Sequence, residues 1–238
     1  MKNIQDQVDE IHKHLTNLSS SVNDCNDIVR FHTNNLFNRR FSAVLGSFSD
    51  LEHVGLRLER TILQYENIER DIRTRLQGKK EISDDMQSLM RVANRLSGEN
   101  QADFKSLYVF AKIFLDEYTA LLAFVNNWRG ISNGSVTKFY NSLSIYDGND
   151  NDILRFKGEC LNRLKAVDIF VTQYRDKYIV HDQTKHKETR WFISDMEGGV
   201  NFIGGRPSIT PRELMFVVCG YVSTTSVFTR QLLNKAGL

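Results

Sequence analysis

Proline is nearly missing from this chain: the 238 residues hold two, Pro207 and Pro211, so none occurs in the first 206 positions. Proline lacks an amide hydrogen and clashes with the preceding helical turn, so a long stretch without it is what extended helices permit. Cysteine is scarce as well. Cys25, Cys160 and Cys219 are odd in number, far apart and each set in an apolar helical pattern. That excludes a disulfide framework and a Cys-x-x-Cys site, and the expectation is buried free thiols in a reducing compartment. No apolar run approaches the ~20 residues that a bilayer span needs. The opening MKNIQDQVDE lacks the charged-then-apolar pattern of a secretory leader. A cytoplasmic protein with no membrane partner is therefore expected.

Charge of one sign is also lacking: 31 Lys and Arg face 29 Asp and Glu, a net charge of +2. This balance does not by itself announce a nucleic-acid binder, although it leaves room for a local basic patch. The familiar catalytic signatures are absent too. There is no phosphate loop ending in Lys-Ser/Thr, no Gly-x-Ser-x-Gly and no His-Glu-x-x-His. His12 and His14, two residues apart, point in different directions on a helix and share no metal face. With His32 and His53 they read as structural or solvated, and neither a metal nor a cofactor is expected.

What is present is helical rhythm. Hydrophobic residues make up 41% and charged residues 25%, the balance of a globular domain. Ile4, Val8, Ile11, Leu15, Leu18, Val22, Cys25 and Val29 recur at spacings of four and three, either as one face of a bundle helix or as a seam between subunits. A second helix is expected from near Ser49 to Leu76 with a Glu/Arg ladder outward, and a third from Ser83, Asp84 and Asp85 to about Gly98. The most hydrophobic helix should follow from about Ala102 to Trp128, then a short one from Val136 to Leu143. The loop GNDND (148–152) ends in an N-cap and opens a long helix to about His181. Two β-prone runs around a Gly-Gly turn suggest a hairpin-like insert near 191–205. The last helix opens on Thr210 as N-cap, Pro211 at the first position and Glu213 closing a capping box. The fold class is all-α, a bundle of long antiparallel helices. Residues 1–100 supply the N-terminal long helices, as a separate domain or part of one bundle, and 101–238 a helical domain of their own.

One constellation carries chemistry, RDKYIVHD at 175–182. A histidine moves protons near neutral pH, and an arginine offers a permanent planar cation suited to a phosphate or a phosphorane. Together His181 and Arg175 could cleave RNA without a metal: His181 takes the proton of a 2′-hydroxyl and Arg175 steadies the charge growing on phosphoryl oxygens. Asp176 or Asp182 could orient the imidazole, and Lys177, Tyr178, Lys185, Lys187 and Arg190 could hold flanking RNA. Six residues on a regular helix turn through ~600°, which leaves Arg175 and His181 ~120° apart. They converge if the helix breaks near Val180 or if the second group comes from another subunit.

Arg-Asp-Lys-Tyr-Ile-Val-His-Asp, late in an all-α chain, resembles the motif of the HEPN superfamily, and the resemblance covers the motif and the helical context of roughly 101–238. It implies a homodimer in which two protomers' Arg/His motifs line one cleft. It also implies a metal-independent endoribonuclease of toxin–antitoxin or anti-phage systems, with an antitoxin or defence protein as partner. By position, Arg175 and His181 are then the catalytic pair and Asp176 the polar residue after the arginine. Some family toxins carry a tyrosine two residues after the histidine, where this chain has Gln183. Two other readings stay open: a module that binds RNA or a nucleotide without cutting it, and a scaffold assembled through the N-terminal stripe. In the binding module Arg175 holds the ligand; in a purely structural reading Arg175 pairs with a nearby acid and His181 caps the helix C-terminus, where a positive imidazole is favourable.

Overall fold

The four-three rhythm of the first stretch forms α1 (Ile4–Asn23), whose start is capped by the Asn3 side chain accepting from the Asp6 amide at 2.7 Å. The computed structural model describes residues 2–25, 35–77, 83–173, 175, 191–193, 200–202 and 209–236. Ile4, Val8, Ile11, Leu15, Leu18 and Val22 are all buried, Cys25 is half-buried beyond the helix end, and Val29 lies outside the described residues. The stripe finds its partners inside the chain, so it is a bundle face and not a seam between subunits.

Helix α2 (Leu36–Leu76) starts thirteen residues before the expected Ser49. Asn35 opens it in the left-handed region at φ 58°, a conformation asparagine tolerates, and Phe37, Val44 and Phe48 extend its buried face. Helix α3 (Asp84–Asn126) begins at the expected Ser83 cap, although the Ser83 side chain makes no capping bond. It corrects a second expectation by running through Gly98 without a break. A lone helical glycine costs about 1 kcal/mol, and burial of Leu96 and Phe104 to either side outweighs that. The division at residue 100 falls inside α3, and the buried apolar side chains from Ile4 to Ile62 share one core with those from Phe104 onward.

Helices α2 and α3 are antiparallel over a long common length, about 62 and 65 Å at 1.5 Å per residue. Arg40 lies over Phe124, Phe48 meets Phe114, and Arg57 donates to Asp103 at 2.8 Å, so the pairings descend one helix as they climb the other. Burial is dense down to the level of Ile62 and Asn100 and thins beyond it. From Leu63 to Leu76 just Ile72 is buried, and from Asp84 to Gly98 just Met86, Ala93 and Leu96.

Short helix α4 (Val136–Ser144) is capped by Ser135, and α5 (Asn151–Val167) by Asp150, which accepts from the Asp152 and Ile153 amides at 2.9 and 3.1 Å. The expected single helix from this cap to His181 is not what forms: α-winding ends at Val167, and Asp168–Gln173 is a π-helical turn. In the expected hairpin region β1 (Trp191–Ile193) pairs antiparallel with β2 (Val200–Phe202), Trp191 opposite Phe202 and Ile193 opposite Val200. The bundle itself is all-α, and no described helix is long and apolar enough to cross a membrane.

The last helix, α6 (Pro211–Ala236), forms the expected capping box: Glu213 Oε2 accepts from the Thr210 amide at 2.6 Å and Thr210 Oγ1 from the Glu213 amide at 3.0 Å. It lies between α1, α3 and α5. Arg212 Nε and the Ile4 amide both donate to Glu59, Ser226 donates to the His14 carbonyl, and Arg230 donates to Ser21, so α1 and α6 run parallel. Along α3 the buried pairs Tyr118–Thr225 and Thr119–Tyr221 and the half-buried pair Asn126–Thr229 fix a second parallel register. Phe216 and Val227 lie on the exposed side of α6.

Two outcomes follow for stability. Ile11 is 0% exposed, so Ile11→Asp places an unpaired charge in the core at a cost comparable with the whole stability of a domain, about 5–15 kcal/mol. The variant loses its cooperative thermal transition by circular dichroism, whereas Lys13→Gln on the exposed face melts within about 2 °C of the parent. Thr210→Ala removes one arm of the capping box and costs about 1 kcal/mol, a fall in Tm of roughly 2–4 °C.

Candidate functional site

The inner face of α5 is apolar: Ile153, Phe156, Cys160, Leu164 and Val167 are buried, and Phe156 meets Phe228 of α6 edge-on at 5.2 Å between centroids. One turn beyond Leu164 the next position on this side is not apolar. Asp168 is 3% exposed. A carboxylate so placed must be hydrogen-bonded, and both of its oxygens are. Thr137 Oγ1 donates to Oδ1 at 2.8 Å and Gln173 Nε2 donates to Oδ2 at 2.9 Å.

Thr137 is the second residue of α4, and the residue before it is held the same way. The Val136 amide donates to Asp116 Oδ1 of α3 at 2.7 Å, and the buried Lys112 ammonium donates to the other Asp116 oxygen. Two carboxylates from different helices thus grip the first turn of α4, where the helix dipole favours negative charge. Together they fasten the loop and short helix between α3 and α5 to the start of the π-turn.

The π-turn opens at Asp168 and carries the chain towards RDKYIVHD. Arg175 keeps the same winding and is half-buried. It is the one member of the sequence-derived site within the described residues. Asp176, Lys177, Tyr178, His181, Asp182, Gln183, Lys185, Lys187 and Arg190 lie outside them. Asp168, Thr137, Asp116 and Lys112 did not figure in the sequence reading. The one signal for Asp168 is an acid four residues after Leu164, beside an otherwise apolar stripe; nothing in the sequence links Thr137 or Asp116 to it.

The other titratable groups have structural tasks. His12 bonds Glu52 at 3.2 Å and sets its ring edge-on to Phe48, and His53 is exposed. His14 lies half-buried against Glu10, and burial lowers its pKa more than Glu10 raises it. His32 is outside the described residues, and among those described no three His, Cys, Asp or Glu side chains converge as metal ligands. All three thiols are free. Burial pushes Cys160 up to about 12 and Cys219 up to about 11. A thiol with a raised pKa stays protonated until the pH approaches that value, and the thiolate is the nucleophile. Iodoacetamide therefore leaves Cys160 and Cys219 of the folded protein unmodified from pH 7 to 9, while all three cysteines react after denaturation. Mass spectrometry of the alkylated peptides reads this directly, and rapid native labelling of Cys160 would overturn it.

No protein-family model matches this chain, and comparison with curated proteins and with solved structures finds no match either.

Proposed function

We propose that this chain is a metal-independent endoribonuclease of the HEPN type, acting in toxin–antitoxin or anti-phage defence. His181 is the general base and Arg175 the stabiliser of phosphoryl charge, in a cleft shared by two protomers. His181 takes the 2′-hydroxyl proton, the 2′-oxygen bonds to phosphorus, and the bond from phosphorus to the 5′-oxygen breaks. The leaving oxygen gains a proton, and a 2′,3′-cyclic phosphate remains. Asp176 orients the pair, and Lys177, Tyr178, Lys185, Lys187 and Arg190 hold flanking nucleotides.

The observation that carries this reading is the π-turn immediately ahead of Arg175, clamped by a buried carboxylate. π-turns interrupt α-helices rarely and concentrate at functional sites, and this one lies two residues before the motif. An all-α bundle is the setting in which the motif is expected. The scaffold alternative, assembly through the N-terminal stripe, loses its surface because that stripe is already buried within the chain.

The test is incubation of the purified protein, His181→Ala and Arg175→Ala with labelled total RNA and tRNA in EDTA. The parent yields products with 2′,3′-cyclic phosphate ends, and His181→Ala slows cleavage by about 100-fold or more without changing the thermal transition. Binding of RNA by the parent with no product on any of these RNAs would replace the nuclease by a non-catalytic RNA-binding module.

A further inference from the structure

The Asp168–Gln173 bond joins residues five apart. On an α-helix, positions i and i+5 are separated by 500° of rotation and so stand ~140° apart, beyond the reach of a side-chain hydrogen bond. In a π-turn the backbone bonds themselves run from i to i+5, and residues five apart stand over one another. The 2.9 Å bond from Gln173 Nε2 to Asp168 Oδ2 therefore belongs to the π form and is lost in the α form. The other oxygen of Asp168 is tied to Thr137, so the turn is also fixed to α4. The winding carries a cost that something must offset: Thr172 Oγ1, inside the turn, is buried with no hydrogen-bond partner among the described residues.

We infer that Asp168 and Gln173 form a side-chain lock that holds the π-turn and so sets the phase at which Arg175 leaves the helix. They are positioning residues for the reaction proposed above. The catalytic part of this inference rests on the ribonuclease reading; the lock itself does not. Were the segment α-wound, the side chain at 175 would be displaced around the axis by a large fraction of a turn. A guanidinium moved by even an ångström from its place in a transition state loses about a hundredfold in rate. Gln173 is exposed, so its replacement leaves the core intact.

The experiment compares three full-length variants with the parent: Gln173→Leu, Gln173→Glu, and Asp168→Asn combined with Gln173→Glu. The first removes the donor, and the second sets two carboxylates against each other. The third restores the bond with the donor reversed: the amide introduced at position 168 donates to the carboxylate introduced at 173, and its carbonyl still accepts from Thr137. Crystal structures of the parent and Gln173→Leu read the winding. RNA cleavage reads the consequence: kcat falls about ten- to a hundredfold in both single variants with KM unchanged, and the double variant recovers it. A π-turn that survives unaltered in Gln173→Leu overturns the lock. Loss of kcat that the double variant fails to recover overturns the positioning role. If the parent cuts no RNA, the ribonuclease reading falls, and the crystal comparison alone decides for or against the lock.

Discussion

Helix α6 is buried around most of its girth, with Leu214, Met215, Val218, Tyr221, Val222, Phe228 and Leu233 all turned into protein. Its solvent face is a narrow strip, with Phe216, Val227, Gln231 and Asn234 exposed along one side, and two of those four are apolar, so the strip sets the rotation only weakly and the neighbouring helices must set the rest. Thr225, Ser226 and Thr229, also buried, supply the registers: Thr225 meets the Tyr118 hydroxyl, Ser226 donates to the His14 carbonyl, and Thr229 accepts from the Asn126 side-chain amide. Burial raises the Tyr118 and Tyr221 hydroxyls far above their ordinary range, so both act as neutral hydrogen-bonding groups. Apolar area holds the bundle together, and these few polar pairs decide how far each helix may slide along α6.

The cluster around Asp168 obeys the same rule for a different end. Its hydrogen bonds do not set a sliding register; they hold an irregular winding. A regular α-helix through this point would need neither the carboxylate nor the threonine of α4. That the chain places a buried acid there, ties it to Thr137 and Gln173, and leaves the buried Thr172 hydroxyl beside it without a partner among the described residues marks the turn as a shape the fold maintains at some cost.

The helices are legible in the sequence because burial and periodicity are the same fact seen twice. The stripe from Ile4 to Val22, the inner face of α5 and the reciprocal bonds of Thr210 and Glu213 are all where the spacing and capping chemistry place them. The departures have local causes. Gly98 resembles a stop because its intrinsic cost is real, yet Leu96 and Phe104 are buried to either side of it, and that burial is not written in the glycine. The end of α5 is hidden for the opposite reason. Apolar spacing continues past Val167, with Val171 still buried, because a π-turn adds its extra residue without moving the stripe fully out of the core. The grip of Thr137 and Asp116 on α4 joins residues that only the folded chain brings together. Of the motif at 175–182, what the structure adds is the approach to Arg175.

The parallel packing of the first helix on the last has a consequence for synthesis. Two residues of α1 have hydrogen-bond partners about 210 positions later: His14 meets Ser226 and Ser21 meets Arg230. Translation at about 5–20 residues per second puts on the order of 10–40 s between the emergence of α1 and that of α6. Through that interval α2 can cover one side of the Ile4–Val22 stripe, and the side meant for α6 has nothing to lie on. The nascent chain thus carries an amphipathic helix with a bare apolar edge until α6 follows it out of the ribosome. A chain truncated before α6 is left with that hydrophobic seam open.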